Sequence, residues 1–196
     1  MSIAEKIDLN DLIDKWQEGC EQSTQLLKKL TYDHLKSVCH QHLQHQKQAI
    51  DSTFILNNLP STTSLLHQSL IELVPPKTSL KQQTQFNHYL SIFIRNLLKD
   101  EIRKLQAKKR TPVTLLKVKE GEKTLKQQEQ FIALDSALSL LEQSHPRKAQ
   151  VFSMHYFLGM APEELAKTME ASVATIYREL DAAKAFLRLK IKISDS

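Results

Sequence analysis

Apolar residues recur at helical spacing along most of this chain, and the breaks in that rhythm divide it into segments. Leu9, Leu12, Ile13 and Trp16 mark a first helix that stops near Gly19. A second, over residues 22–46, places Leu26, Leu30, Leu35, Val38 and Leu43 inward. Residues 51–64 contain Asn57, Asn58, Pro60 and a Ser/Thr cluster and read as a loop. A short helix over 65–74 follows and is broken by Pro75 and Pro76. A long helix over 82–108 then repeats Phe86, Leu90, Phe93, Leu97 and Ile102 or Leu105 on one face. Residues 111–128 lose the period: a proline, a glycine and many Lys, Glu and Gln make them a linker, with Leu115, Leu116 and Val118 as its apolar cluster. Phe131, Leu134, Leu138 and Leu141 resume the helical period, and Ser144-His145-Pro146 opens another helix ending at Leu158.

The most informative stretch is at the end. Gly159 can terminate a helix in the left-handed conformation, and Pro162 suits a first helical position that needs no N–H. Glu163 and Glu164 face the positive end of the new helix dipole, and the helix buries Leu165, Ala166 and Met169. Ser172 can cap the next helix, which keeps Ile176, Leu180, Ala183 and Leu187 on one side. Its opposite face carries Ala174, Arg178, Asp181 and Arg188, flanked by Tyr177 and Lys184. Two helices around so short a turn form a helix-turn-helix, and short residues followed by long basic ones suit the DNA major groove. Glu170 stands in the turn, where a glycine or small residue is usual. The same pattern also fits a helical hairpin buried in an all-α domain. The fold predicted is all-α: two small helical domains, 8–110 and 129–193, joined by a flexible linker at 111–128, the second domain a helix-turn-helix.

Composition agrees with helix, since 196 residues include only three glycines. No apolar run is long enough to span a bilayer and the first residues are polar and acidic, so a soluble, cytoplasmic protein with no membrane partner is expected. Cys20 and Cys39 make no disulfide framework and are expected as free thiols on helices.

Charge changes the picture through its placement. The net charge is +5, yet the first 21 residues are acidic, and the cations concentrate between Arg95 and Arg110 and on the last helix. Two separate basic surfaces suggest a polyanion touched twice; the bland alternative is two solvated helix faces. Arg95, Lys99 and Arg103 recur every four residues, a stripe that can follow a phosphate backbone, extended by Lys108, Lys109 and Arg110. Phe86, His88 and Tyr89 precede it. Phe86 falls on the core face, whereas His88 and Tyr89 are candidates to hold unstacked bases. The amides of Asn87 and Asn96 can read a base edge.

Cys39-His40-x-His42-x-x-His45 invites a metal reading, but no CxxC pair or second ligand pair accompanies it, so no metal is expected. Nor does any Gly-rich phosphate loop, Ser/His/Asp order or paired inward carboxylates appear. The chain is not expected to be an enzyme or to carry a cofactor.

Phe86-x-x-Tyr89-Leu90, then Arg95-Asn96-Leu97, Asp100 and Arg103-Lys104, resembles the promoter-melting, −10-reading helix of bacterial RNA polymerase sigma factors of the extracytoplasmic-function group, written F-x-x-W-L followed by R-N and D-x-x-R. Ala137-Leu138, Leu141, Val151-Phe152, Tyr156-Phe157-Leu158-Gly159, Glu163-Glu164-Leu165-Ala166, Ser172, Thr175-Ile176 and Ala183 are similar to the −35-reading domain of that group. Thr63-x-Leu65-Leu66-His67-Gln68 is similar to a sub-group pattern T-x-L-V-H-E. Gln68, Tyr89 and Glu170 stand where the family has an acid, a tryptophan and a glycine.

The resemblance implies a sigma factor that directs RNA polymerase core to promoters and assists their opening, with an anti-sigma factor as a conceivable further partner. It places −10 contacts at His88, Tyr89, Arg95, Asn96, Lys99, Arg103, Lys104, Lys108, Lys109 and Arg110. Contacts at −35 fall on Ser172, Val173, Ala174, Thr175, Tyr177, Arg178, Lys184 and Arg188, and polymerase binding on Leu66, His67, Gln68, Ile71 and Glu72. Two other classes stay open: a sigma-like DNA-binding regulator that does not engage polymerase, and a decoy that binds an anti-sigma partner and no DNA.

Overall fold

The computed structural model describes residues 8–44, 72–109 and 118–194, and every regular element among them is a helix. These are α1 (Leu9–Gln17), α2 (Glu21–Gln44), α3 (Gln83–Lys109), α4 (Val118–Ser144), α5 (Pro146–Leu158), α6 (Pro162–Thr168) and α7 (Val173–Ser194). None is long and apolar enough to cross a membrane. The loop predicted at 51–64 lies outside the described residues, as do Leu66, His67, Gln68, Ile71 and Arg110. So do the side chains of Cys39, His40, His42, Lys108 and Lys109.

Local chemistry sets the first turn. The Asp8 carboxylate accepts the Asn10 N–H at 2.9 Å and caps α1, which buries Leu12, Ile13 and Trp16. Gly19 then takes φ 85°, letting Gly19 N–H reach Trp16 O at 3.1 Å and Cys20 N–H reach Lys15 O at 2.9 Å. Such a paired closure needs a left-handed residue, which glycine supplies at little cost. Cys20 is a free thiol in this turn rather than on a helix. Gln17 fixes the approach to α3 with both ends of its amide: Nε2 donates to Leu80 O at 2.8 Å, and Oε1 accepts from Leu80 N at 2.6 Å.

The long helix α3 is covered over a broad arc. Besides Phe86, Leu90, Leu97 and Ile102 on the predicted face, it buries a second strip of Ser91, Ile94 and Leu98. Trp16 meets Phe86 edge-on at 5.9 Å between centroids, while α3 packs most extensively against α5. Helix α5 explains why. It buries Ala149, Val151, Phe152, Met154, Phe157 and Leu158, which lie all round its circumference, so it needs neighbours on every side. Those neighbours are α2 and α3 from the first half and α4, α6 and α7 from the second.

One apolar cluster therefore runs from Leu12 and Trp16 through Ile94 and Ile102 to Leu138, Phe152 and Leu187. The two predicted halves touch through it, and Thr84 Oγ1 donates to Thr168 O at 2.7 Å between them. Helix α4 also begins earlier than the apolar period suggests. It takes in residues 118–128 of the predicted linker, whose Lys, Glu and Gln are good helix formers without an apolar stripe. Residues 111–117 lie outside the description.

Candidate nucleic-acid interface

The C-terminal helices form the predicted turn. Gly159 closes α5 with φ 67°, and Pro162 is the first residue of α6. The Glu164 carboxylate reaches back to accept the Ala161 N–H at 2.9 Å, one half of a capping box. Helix α6 buries Leu165 and Ala166 and ends at Thr168, with Met169 as its C-cap. Ala171 N–H bonds to Ala166 O at 2.9 Å and Glu170 N–H to Lys167 O at 3.4 Å, which forces Glu170 to φ 49°. Ser172 Oγ accepts the Thr175 N–H at 3.1 Å and caps α7.

Helix α7 buries Ile176, Leu180, Ala183 and Leu187 and turns its other face outward. Ser172, Val173, Ala174, Tyr177, Arg178, Asp181 and Arg188 are exposed, Thr175 and Lys184 half-buried. Arg178 is held only loosely: Nη2 lies 3.4 Å from Thr175 Oγ1. Residues not singled out in the sequence brace this platform. Arg147 of α5 pairs with Glu179 of α7 at 2.7 Å, and His155 Nδ1 donates to Met160 O at 2.8 Å beside the turn. Burial lowers the His155 pKa against the opposing pull of the bond to Met160, and Lys184 lowers it further.

The second candidate surface is arranged differently. Arg95, expected on an outward stripe, is buried. Its Nε donates to Asp135 Oδ1 at 2.6 Å, its Nη1 to Glu142 Oε1 at 2.7 Å, and its Nη2 to Asp135 O at 2.7 Å and Ser139 Oγ at 2.8 Å. Lys99 is half-buried with Nζ 2.8 Å from Asp135 Oδ2. Asp135, Ser139 and Glu142 stand on one face of α4, and that face comes down over the stripe. Arg103, one turn farther, is exposed and lies 3.5 Å from Asp100. Lys104 and Asn96 are exposed as well.

The aromatic candidates are also partly engaged. Tyr89 packs near Trp16 and Phe93, with centroids 6.1 and 6.4 Å away, and its hydroxyl donates to Val74 O at 2.6 Å. Burial raises its pKa. His88 is half-buried at the edge of a cleft of about 390 Å³ that Asn96, Lys99, Ser139 and Glu142 also line. Burial lowers the His88 pKa against the opposing pull of Glu142, and Nδ1 finds no hydrogen-bond partner among the described residues. Of the polymerase-binding candidates only Glu72 is described, and it is exposed.

Among the described residues, no group of His, Cys, Asp and Glu is placed to hold a metal ion. A family model described as ECF sigma factor matches residues 6–192. Neither the comparison with curated proteins nor that with solved structures gives a match.

Proposed function

The chain belongs to the ECF sigma factor family, a class of transcription-initiation factors and not of enzymes, and from that premise we propose that it directs RNA polymerase core to particular promoters and helps to open them. The observation that carries this reading is the exposed face of α7, capped by Ser172 and backed by a buried apolar stripe. A helix fixed by one side and bare on the other can enter a major groove without rearrangement. On this reading Ser172 and Thr175 meet phosphates near the helix start, Arg178 reads a base edge, and Lys184 and Arg188 follow the backbone farther along. Val173, Ala174 and Tyr177 complete that surface.

Helix α3 supplies the −10 contacts through Asn96, Arg103 and Lys104, with His88 and Tyr89 beside them and Arg95 and Lys99 once uncovered. The segment that carries Leu66, His67, Gln68, Ile71 and Glu72 grips the polymerase. The protein acts in the cytoplasm, where promoter DNA and core are found.

Transcription with purified core is the test. The full chain is expected to support initiation from promoters selected by its own DNA binding. Selective DNA binding with no transcription would instead make it a regulator that does not engage polymerase. Binding of neither core nor DNA would leave the anti-sigma decoy.

A further inference from the structure

The acidic face of α4 has no part in that function, yet it holds two cations of α3. Asp135, Ser139 and Glu142 are spaced so that one helix face presents two carboxylates and a hydroxyl. Together with the Asp135 carbonyl they take a donor from each of the three nitrogens of Arg95, whose side chain is left 6% exposed. Four of the five guanidinium N–H donors are thereby used, and Lys99 is drawn to the same carboxylate at 2.8 Å. In this arrangement Arg95 is closed off from a phosphate, and Lys99 is turned toward Asp135.

We propose that Asp135 and Glu142 form an internal latch that occupies Arg95 and Lys99, two of the phosphate-binding cations of α3, so that α3 makes its full contact with DNA only after α4 has released it. The inference rests on the reading of α3 as a DNA-contacting helix. Its physical basis is the near balance of buried ion pairs. Desolvating both partners offsets much of their attraction, so a sequestered Arg–carboxylate network holds a contact in place without making it irreversible. A polyanion offers the same cations equivalent oxygens and gains further from counterion release. The face of α7 that carries Arg178 lies outside the latch and is exposed in the same structure. The closed chain can therefore engage a duplex through α7 while α3 is still covered, which sets an order: duplex reading first, strand capture second.

The test uses the full chain and three variants: Asp135→Asn with Glu142→Gln, Glu142→Gln alone, and, as a control with the same charge change far from the latch, Asp14→Asn with Glu18→Gln. Circular dichroism checks helix content. Small-angle scattering reads compactness, and fluorescence anisotropy reads affinity for a forked DNA with a single-stranded −10 segment and for a plain duplex. The double latch variant is expected to be less compact and to bind the forked DNA roughly five- to tenfold more tightly, as expected when a closed state that dominates by that ratio is removed. Its gain on the plain duplex should be no larger than that of the control. Glu142→Gln, at a side chain 34% exposed, should keep its helix content and show part of the same gain, so the test stands even if the double variant unfolds.

Unchanged compactness with unchanged affinity would overturn the latch. So would a looser chain that binds no more tightly, or a control that gains as much as the latch variant. Failure of the sigma-factor reading is visible separately, as absence of transcription with core, because no polymerase enters the latch experiment.

Discussion

Two helices of this protein are assigned to DNA, and they present their arginines in opposite ways. Arg178 on α7 is exposed and has one long contact of 3.4 Å; Arg95 on α3 is buried in four bonds of 2.6–2.8 Å. Both occupy polar positions on amphipathic helices. The difference lies in what faces them. Helix α7 turns its charged side away from α4, α5 and α6, whereas the charged side of α3 is met by the acidic side of α4. A polar face is therefore not the same as a free face. A surface that binds a polyanion can equally bind a helix that imitates one.

The largest expected effect breaks this contrast at its buried end. Arg95→Ala should lower the stability of the chain by about 2–3 kcal/mol, because it removes charged hydrogen bonds and leaves two partly buried carboxylates short of a partner. Lys99, still beside Asp135, limits the loss. Arg178→Ala should change stability by less than about 0.5 kcal/mol, as is usual for an exposed side chain. Urea unfolding of the two variants measures both. Equal effects would mean that Arg95 and Arg178 are in similar surroundings in solution, and the comparison would collapse.

The sequence showed the helices because their signals are local. Pro146 and Pro162 sit at helix starts, Gly19 and Gly159 at helix ends, and Ile176, Leu180, Ala183 and Leu187 are buried as their spacing predicts. The four-residue spacing puts Arg95 on an outward stripe of α3, but its partners lie 40 and 47 positions away and carry no local mark. Helical phase places a residue on a face; it does not say which other face will cover it. The same limit hid the hydrogen bond from Tyr89 to the Val74 carbonyl, which ties a ring read as free for bases to the segment before α3. Residues 118–128 illustrate a different conflict. Their composition favours helix while their lack of apolar period argues against one, and the described backbone follows composition.

A second prediction sharpens the open end of the contrast. Arg178→Ala should relax preference at one base pair of the duplex site, at a cost of about 1–3 kcal/mol there, whereas Lys184→Ala should weaken all sequences alike and flatten the salt dependence. Selection from randomised duplex DNA reads the first, and titrations across a salt series read the second. If the base profile of Arg178→Ala matched the parent, Arg178 would be a solvated side chain and the reading would pass to Val173, Ala174 or Tyr177.

The smallest expected effect concerns the turn between α6 and α7, set against the turn after α1. Both close with the same pair of backbone hydrogen bonds around a left-handed residue, Gly19 at φ 85° and Glu170 at φ 49°. Glycine adopts that conformation freely, while any other L-residue pays about 1–2 kcal/mol for it. Glu170 also places a negative charge at the negative end of the α6 dipole, a further few tenths of a kcal/mol. Against this, Glu170→Gly loosens the unfolded chain by about 0.5–1 kcal/mol. The terms leave a net gain of about 1 kcal/mol for Glu170→Gly, read as a rise in the urea midpoint with the slope unchanged. Gly19→Ala should move the midpoint the other way; its open surroundings, with nothing within 4 Å of an added Cβ, confine the penalty to the backbone. In DNA titrations at low salt Glu170→Gly should also bind duplex more tightly, since on the proposed reading of α7 it removes an acid close to phosphate. Stabilisation without tighter binding would place Glu170 away from the DNA. An unchanged midpoint would show that the left-handed turn relaxes in solution and that the kinship between the two turns is one of hydrogen bonding alone.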